Sequence, residues 1–546
     1  MSQPPSPSTA DRIAIWILAA TSFVVPLAYC SGVADPFAFP KRTVMLAAAL
    51  LLAGIALARR PGPDRPRLSS PAVWLALLFV ACALVACGTA ANRGLALWGL
   101  LDLAVGAGLF AATIRFVRDA RGARLIFRSI LLAAALTGLA SLVQVFAPTA
   151  QGGWLSAVLP PSRGGATLGD PGLLAQFLIL ALPIGVGAAA LSSGGWRLAC
   201  GGLLGVVATA LIFIGRPEGW IAGGAVLGLM VVGRIAQAAG RGGRWSDLAP
   251  DLAGESLRAF LIAAIVLLLA VALSRLTVLH PSGKPVVPLD GVSLLSPTTG
   301  DPAADRAAAV PGTLSLIRRH PLGVGPGDWR HAFLEVAWTN AGAPPFTLSH
   351  QAVHAGNSFL EMAAETGVLG GVAFALLVLL VFLQSLLAGS RAGAPWDSAA
   401  CTTFAACGAL VIIAFFGAPF QEPTPSLVFW IAAGIAQVAA LQVPSARHLL
   451  QALVPRERPR AGGGPPGGRA AIAAGFLWLL AAAGLSLLEV DRGRASALAL
   501  AGQGAFYSGQ YETALLAFGQ PASRRSPEYL PRALAASAYL RLKFYD

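Results

Sequence analysis

Thirteen stretches of this chain are long and apolar enough to cross a bilayer as helices, which takes about 20 residues each. They lie near 12–31, 43–58, 71–91, 95–114, 125–147, 172–192, 197–215, 218–235, 257–278, 367–388, 399–419, 425–443 and 470–489. With 56% hydrophobic residues, 12% charged residues and a mean hydropathy of +0.70, the chain lies well outside the soluble range. The expected fold is therefore an all-α polytopic membrane protein of about 12–13 transmembrane helices. One large external loop and a short C-terminal helical segment complete it.

The charge of +14 has to be reconciled with this hydropathy. Its arginines sit in short clusters between apolar runs, which is how membrane helices are oriented, so nucleic acid is not an expected partner. Number each loop by the span it follows. The even loops carry Arg59, Arg60, Arg65, Arg67, Arg115, Arg118, Arg121, Arg124, Arg197, Arg234, Arg241, Arg244, Arg391, Arg447, Arg456, Arg458, Arg460 and Arg469. The short odd loops carry only Lys41, Arg42, Arg93, Arg163 and Arg216. A more than threefold bias places the even loops in the cytoplasm and the odd loops outside.

Six segments follow from this count. Residues 1–278 hold about nine spans, 279–366 form the large external loop, and 367–443 return to the membrane. Residues 444–469 are a basic Gly/Pro-rich cytoplasmic linker, 470–489 the last span, and 490–546 an external tail. The first span runs straight into a multi-span pattern, so a cleaved signal peptide is not expected. The tail sequence AGQGAFYSGQYETALLAF has Gly502, Phe506, Gly509, Tyr511, Ala514 and Phe518 in the phase of a tetratricopeptide repeat. An ordinary amphipathic hairpin is the other reading. The six cysteines show no CxxC spacing and read as buried small hydrophobes.

Polar chemistry is concentrated in residues 305–370. Five of the six histidines, His280, His320, His331, His350 and His354, lie in or just ahead of it. Within PLGVGPGDW, Gly323, Gly325 and Gly327 make a structural turn whose amides could also approach a ligand, although the strand–GxxxxGK–helix context of a nucleotide loop is missing. Ser358 and Glu361 fit a capping box opening the next helix. His354 and Asn357 then precede an N-terminus, where exposed N–H groups favour an anion. His354 is placed to act as general base on a sugar hydroxyl; His354 and His350 read equally as loop polar residues. HxxxH ahead of a helix is no i,i+4 ligand pair, so no metal is expected. Arg216, in LIFIGRPEGWIAGG, falls on the outer face. Its planar fork can hold phosphate oxygens, or it can snorkel to headgroups beside Glu218.

These residues resemble the O-antigen ligase and O-antigen polymerase superfamily. R-x13-HPLGVGPGDW, from Arg306 through His320 to Trp329, looks like that family's loop motif. HAGNSFLEMAAETGVLGG is similar to its "HaHNxyLqxxaEtGllG" signature, and IFIGRPEGW resembles its "tlSRgaw" motif. The resemblance covers roughly residues 70–443, and an appended tetratricopeptide tail recurs in the family.

The resemblance implies an inverting, metal-independent, integral-membrane glycosyltransferase without a cofactor. It implies a bacterial inner-membrane location with a periplasmic active face. The donor would be a glycan on undecaprenyl pyrophosphate, and the acceptor lipid A core, another glycan repeat unit or a protein hydroxyl. Arg216 and Arg306 would hold the pyrophosphate, with Arg319 and Asn357 as further donor contacts, and a histidine of the signature would activate the acceptor. Gly356 stands where the family usually has histidine directly before asparagine, and Gly215 where it has serine. His354 or His350 would then have the role, or the acceptor is activated otherwise. Two other classes remain: a transporter or flippase for a lipid-linked glycan, and a non-catalytic assembly scaffold whose tail holds a protein partner.

Overall fold

A computed structural model of the chain describes residues 8–58, 70–146, 164–214, most of 223–235, 302–337, 354–391, 395–415, 417–443, 468–520 and 530–542. Among these residues there is helix and no strand. In chain order the helices are α1 Thr9–Leu27, α2 Ala38–Ala58, α3 Pro71–Thr89, α4 Arg93–Phe116, α5 Ala120–Phe146, α6 Pro171–Ala190 and α7 Gly195–Ile214. After these come α8 Pro302–Arg319, α9 Trp329–Ala337, α10 Ser358–Arg391, α11 Trp396–Ala414, α12 Pro423–Leu441, α13 Gly468–Tyr507, α14 Tyr511–Gly519 and α15 Leu530–Arg541. Among the described residues ten helices, α1–α7 and α10–α12, are long and apolar enough to span a membrane. The protein is an all-α polytopic membrane protein. Of the other three predicted spans, 218–235 is helical where described, 257–278 lies outside the described residues, and 470–489 falls within α13.

Local sequence explains where the spans begin. Ser8 and Asp11 close a reciprocal capping box on α1. Ser70 and Asp170 cap α3 and α6, each followed by proline in the first turn, and Asn92 caps α4. Each such cap is worth about 1 kcal/mol and sets the register of the span behind it. Small residues set the crossings. Gly106 lies under the Trp430 ring, Gly434 under Thr113 and Gly187 under Thr402, each with no room for a Cβ. In lipid, such close packing replaces hydrophobic exclusion as the force between helices. α12 is buried along nearly its whole length against α4, α11 and α10.

Contacts sort the loops into two ends. Lys41 bonds to Thr167, Asn92 to Asp328, His354 pairs with Glu422, and Ala34 bonds to Ser496. All of these join segments numbered odd. At the opposite end, Arg124 reaches the Leu191 carbonyl and Arg128 reaches Ser192, joining even loops.

The stretch 470–489, expected as the last span, and the start of the tail at 490 lie on one helix. α13 is one helix of 40 residues running from the predicted last span into the tail. No proline interrupts it, and Gly493 packs on Phe39 without ending the helix. Its middle is fastened to the membrane bundle. Thr43 Oγ1 donates to Glu489 Oε1 at 2.9 Å, Ser496 accepts the Ala34 N–H, and the Arg492 guanidinium lies over the Phe39 and Trp98 rings at 5.6 and 4.5 Å. α14 and α15 fold back on its end around Ala505, Ala514, Phe518 and Leu534, with the Phe518 ring seated on Gly502.

Candidate functional site

The two longest sequence motifs form one built unit. α10 contains a single non-helical residue, Gly367, at φ 81° and ψ 168°, in a region essentially restricted to glycine. This break leaves the carbonyls of the preceding turn without helical donors, and the HPLGVGPGDW turn supplies them. Val324 N–H donates to Ala364 O at 2.9 Å and Gly325 N–H to Glu365 O at 3.0 Å, while Val368 N–H returns a bond to Pro321 O at 3.0 Å. Gly323 has positive φ and no space for a Cβ against Glu365 and Gly367. Gly325 and Gly327, also at positive φ, pass against Ala90, Ala96 and Gly99 of the α3–α4 corner. The buried Glu365 carboxylate accepts N–H groups from Gly327 and Trp329. Trp329 stacks on Phe333 and donates to Thr313, closing a small core with Leu316, Val336, Ala355 and Ala364.

His354 sits beside this core, at the start of α10. Its Nδ1 lies 2.8 Å from Glu361 Oε1, and the other Glu361 oxygen accepts the Ala355 N–H at 2.8 Å. Its Nε2 faces Glu422 Oε1 at 3.6 Å. Burial by itself disfavours the imidazolium, but the charges and hydrogen bonds of Glu361 and Glu422 outweigh it and raise the pKa to about 10. Burial likewise tends to raise Glu422, yet His354, Arg42 and Lys41 hold it below its ordinary value. The surroundings of the ring therefore favour its imidazolium form, in which both ring nitrogens are donors. In that form the ring has no free nitrogen to accept a proton and acts as a hydrogen-bond donor.

The capping box also resolves differently. Asn357 is the cap: its Oδ1 accepts from the N–H groups of Phe359 and Leu360 at 3.0 and 3.1 Å. Ser358 instead lies within hydrogen-bonding reach of Gly417 O and Gln421 Oε1, and Glu361 turns toward His354. Helix α10 is thus tied to the loop carrying Glu422. Between them lies a ring cluster of Phe359, Phe374, Phe420 and Phe429, with neighbouring centroids 4.7–6.2 Å apart.

Sequence reasoning did not single out Glu422, and it counted Lys41 and Arg42 only as topology markers. Lys41 is 2% exposed, and its Nζ donates to Ala28 O, Phe37 O and Thr167 O at 2.8, 2.8 and 2.7 Å. Arg42 pairs with Asp102 at 3.2 Å. A narrow cleft of about 20 Å³ joins Lys41 to Glu422 and Thr424, with Phe37, Leu168 and Leu173 along its walls. A signal was present: Glu422 is a carboxylate directly before Pro-x-Pro in a short odd loop that is otherwise uncharged.

The other expected residues are spread out. Arg319 is exposed at the C-terminal end of α8, where a cation complements the helix dipole. Arg306 belongs to the same helix, about 20 Å along it at 1.5 Å per residue, with its side chain outside the described part. Arg216, His350 and His280 lie outside the described residues. Among the described residues the other two histidines pair locally, His320 with Glu335 at 3.6 Å and His331 with Asp328 at 3.1 Å, rather than converging on His354. Of the six cysteines, Cys30 is exposed and Cys87, Cys200 and Cys407 are buried.

Compared with known families and curated proteins, the chain matches no family model and no curated protein.

Proposed function

We propose that this protein transfers a glycan from undecaprenyl pyrophosphate to an acceptor hydroxyl, in the manner of O-antigen ligases and polymerases. One observation carries the reading. The two stretches that most resemble family motifs, HPLGVGPGDW and HAGNSFLEMAAETGVLGG, are interlocked through Gly323, Gly325 and the Gly367 break, and they place His354 3.6 Å from Glu422, which lines a cleft. That placement suits a reaction at the end of a membrane bundle, where a lipid-anchored donor meets a water-borne acceptor. In this reading Arg216 and Arg306 grip the pyrophosphate and take up the charge developing on it as the glycosidic bond breaks. Inverting attack at the anomeric carbon then needs no metal. His354 contributes a fixed positive charge and hydrogen-bond donor. The site faces the periplasm from a bacterial inner membrane, and the tetratricopeptide-like tail offers a surface for a protein partner.

The test is deletion of the gene in its host, followed by profiling of lipopolysaccharide, capsule and glycoproteins. Complementation then uses Arg216→Ala, Arg306→Ala and His354→Ala separately. Loss of one glycan in the deletion strain, unrestored by either arginine variant although both reach the membrane, is the expected result. Full restoration by all three variants sinks the proposal. Restoration by both arginine variants, with failure on removal of the tail, assigns the protein to scaffolding instead.

A further inference from the structure

We infer that Glu422 is the group that takes the proton from the acceptor hydroxyl. The inference rests on the glycan-transfer reading and adds to it a base for which His354 is unsuited. Three observations point to this carboxylate. First, His354 Nδ1 is bonded to the buried Glu361, whose second oxygen is fixed by the Ala355 N–H, so the ring is locked with its other nitrogen toward Glu422 at 3.6 Å. Second, Glu422 lines a cleft of about 20 Å³, which is room for one hydroxyl or water. Third, Thr424 lines the same cleft and is buried, and its hydroxyl has no hydrogen-bond partner among the described residues. A buried hydroxyl in that state calls for a polar group from outside, and the hydroxyl of an acceptor supplies one.

The charged neighbours favour an ionised Glu422. Burial tends to raise its pKa, but His354, Arg42 and Lys41 outweigh that and favour the carboxylate form, which has lone pairs free to accept a proton. Lys41 is not a competing base, because its three N–H groups are already donated to the carbonyls of Ala28, Phe37 and Thr167. In the step itself, the acceptor oxygen forms its bond to the anomeric carbon as its proton passes to the Glu422 carboxylate. The bond from that carbon to the pyrophosphate oxygen breaks, and the electron pair leaves with undecaprenyl pyrophosphate. His354, already protonated, orients Glu422 and does not itself exchange the proton.

The experiment uses full-length protein in liposomes containing undecaprenyl-pyrophosphate-linked oligosaccharide. Lipid A core oligosaccharide, the lipid-linked oligosaccharide alone and a serine/threonine-rich peptide are offered as acceptors, with and without sodium azide. Azide attacks without losing a proton and so needs no base. Glu422→Ala and Glu422→Gln should each lower transfer to the hydroxyl acceptor about a hundredfold or more. Azide should restore release of undecaprenyl pyrophosphate from Glu422→Ala, with the glycosyl azide as product. Full hydroxyl transfer by both variants overturns the assignment. So does a loss that azide does not rescue in protein whose melting temperature matches wild type, which marks Glu422 as positional only. A folded wild-type protein that consumes no donor with any acceptor or azide overturns the transfer reading itself.

Discussion

Glu361 holds His354 at 2.8 Å through one carboxylate oxygen and the Ala355 N–H at 2.8 Å through the other, so the ring's orientation and charge are set together. The imidazolium is favoured in the folded protein, with its pKa raised from 6.5 to about 10. A group whose pKa is raised on folding stabilises fully below its unfolded value and loses that contribution as pH rises through the folded value. The stability difference between wild type and His354→Gln should therefore be greatest below pH 6.5, shrink through the interval up to about 10, and vanish above it. Thermal melting in detergent across that range measures it. A difference that grows with pH contradicts the assignment.

The Gly367 break gives a second expectation. A side chain there would force a non-glycine residue to φ 81°, ψ 168° and push a Cβ to 2.7 Å from the Leu322 carbonyl carbon. Gly367→Ala should cost roughly 1–3 kcal/mol from the backbone alone, and more from the displaced turn. Gly108→Ala, in α4 with open space around the added methyl, should be neutral or slightly stabilising. Comparing the two melting temperatures separates a special backbone site from a generic effect of removing glycine.

Lys41 joins three carbonyls, two at the ends of the α1–α2 connection and one between α5 and α6. Lys41→Met removes the donor and leaves Ala28 O, Phe37 O and Thr167 O unsatisfied, where each charged hydrogen bond is worth about 1.5–3 kcal/mol. The variant should be strongly destabilised or fail to accumulate. Lys41→Arg should not rescue it, since a planar guanidinium does not match a three-point ammonium site. Yields and melting temperatures near wild type for both would show that these bonds matter little.

The tail should behave as part of the bundle. Cysteines placed at Ala34 and Ser496, whose backbones are joined at 3.2 Å, should form a disulfide under mild oxidation. A protease site inserted in 444–467 lets the link be read on a gel, because linked fragments stay together. Arg492→Ala removes the contacts with Phe39 and Trp98, worth about 0.5–2 kcal/mol, and should slow the cross-link and raise hydrogen exchange in α13. Free fragments in the double-cysteine protein would detach the tail from the bundle.

Much of the architecture was legible because the signal is one of length. An apolar run of about 20 residues has few alternatives to a spanning helix, and the ten spans named above bear this out. The turn at Pro321–Trp329 was legible for a similar reason, since its glycines and prolines admit neither helix nor strand. The α10 cap was misread because Ser358-x-x-Glu361 satisfies the capping pattern locally while both side chains have stronger partners elsewhere. The continuity of α13 across residue 490 was missed because falling hydropathy marks the end of a membrane span, not the end of a helix.

What the sequence alone determined here was the class of fold, the helical spans and the presence of one polar region among them, all consequences of composition and period along the chain. What only the tertiary structure decided was which polar groups meet. Lys41 and Thr167 are 126 residues apart, and His354 reaches a carboxylate two spans further along the chain, at the same end of the bundle. The state of His354 follows from those encounters: Glu361 and Glu422 on either side of the ring favour its charged form. Charge is set by neighbours in space, and the crossing of α10 with α12 and the loop before it chooses those neighbours.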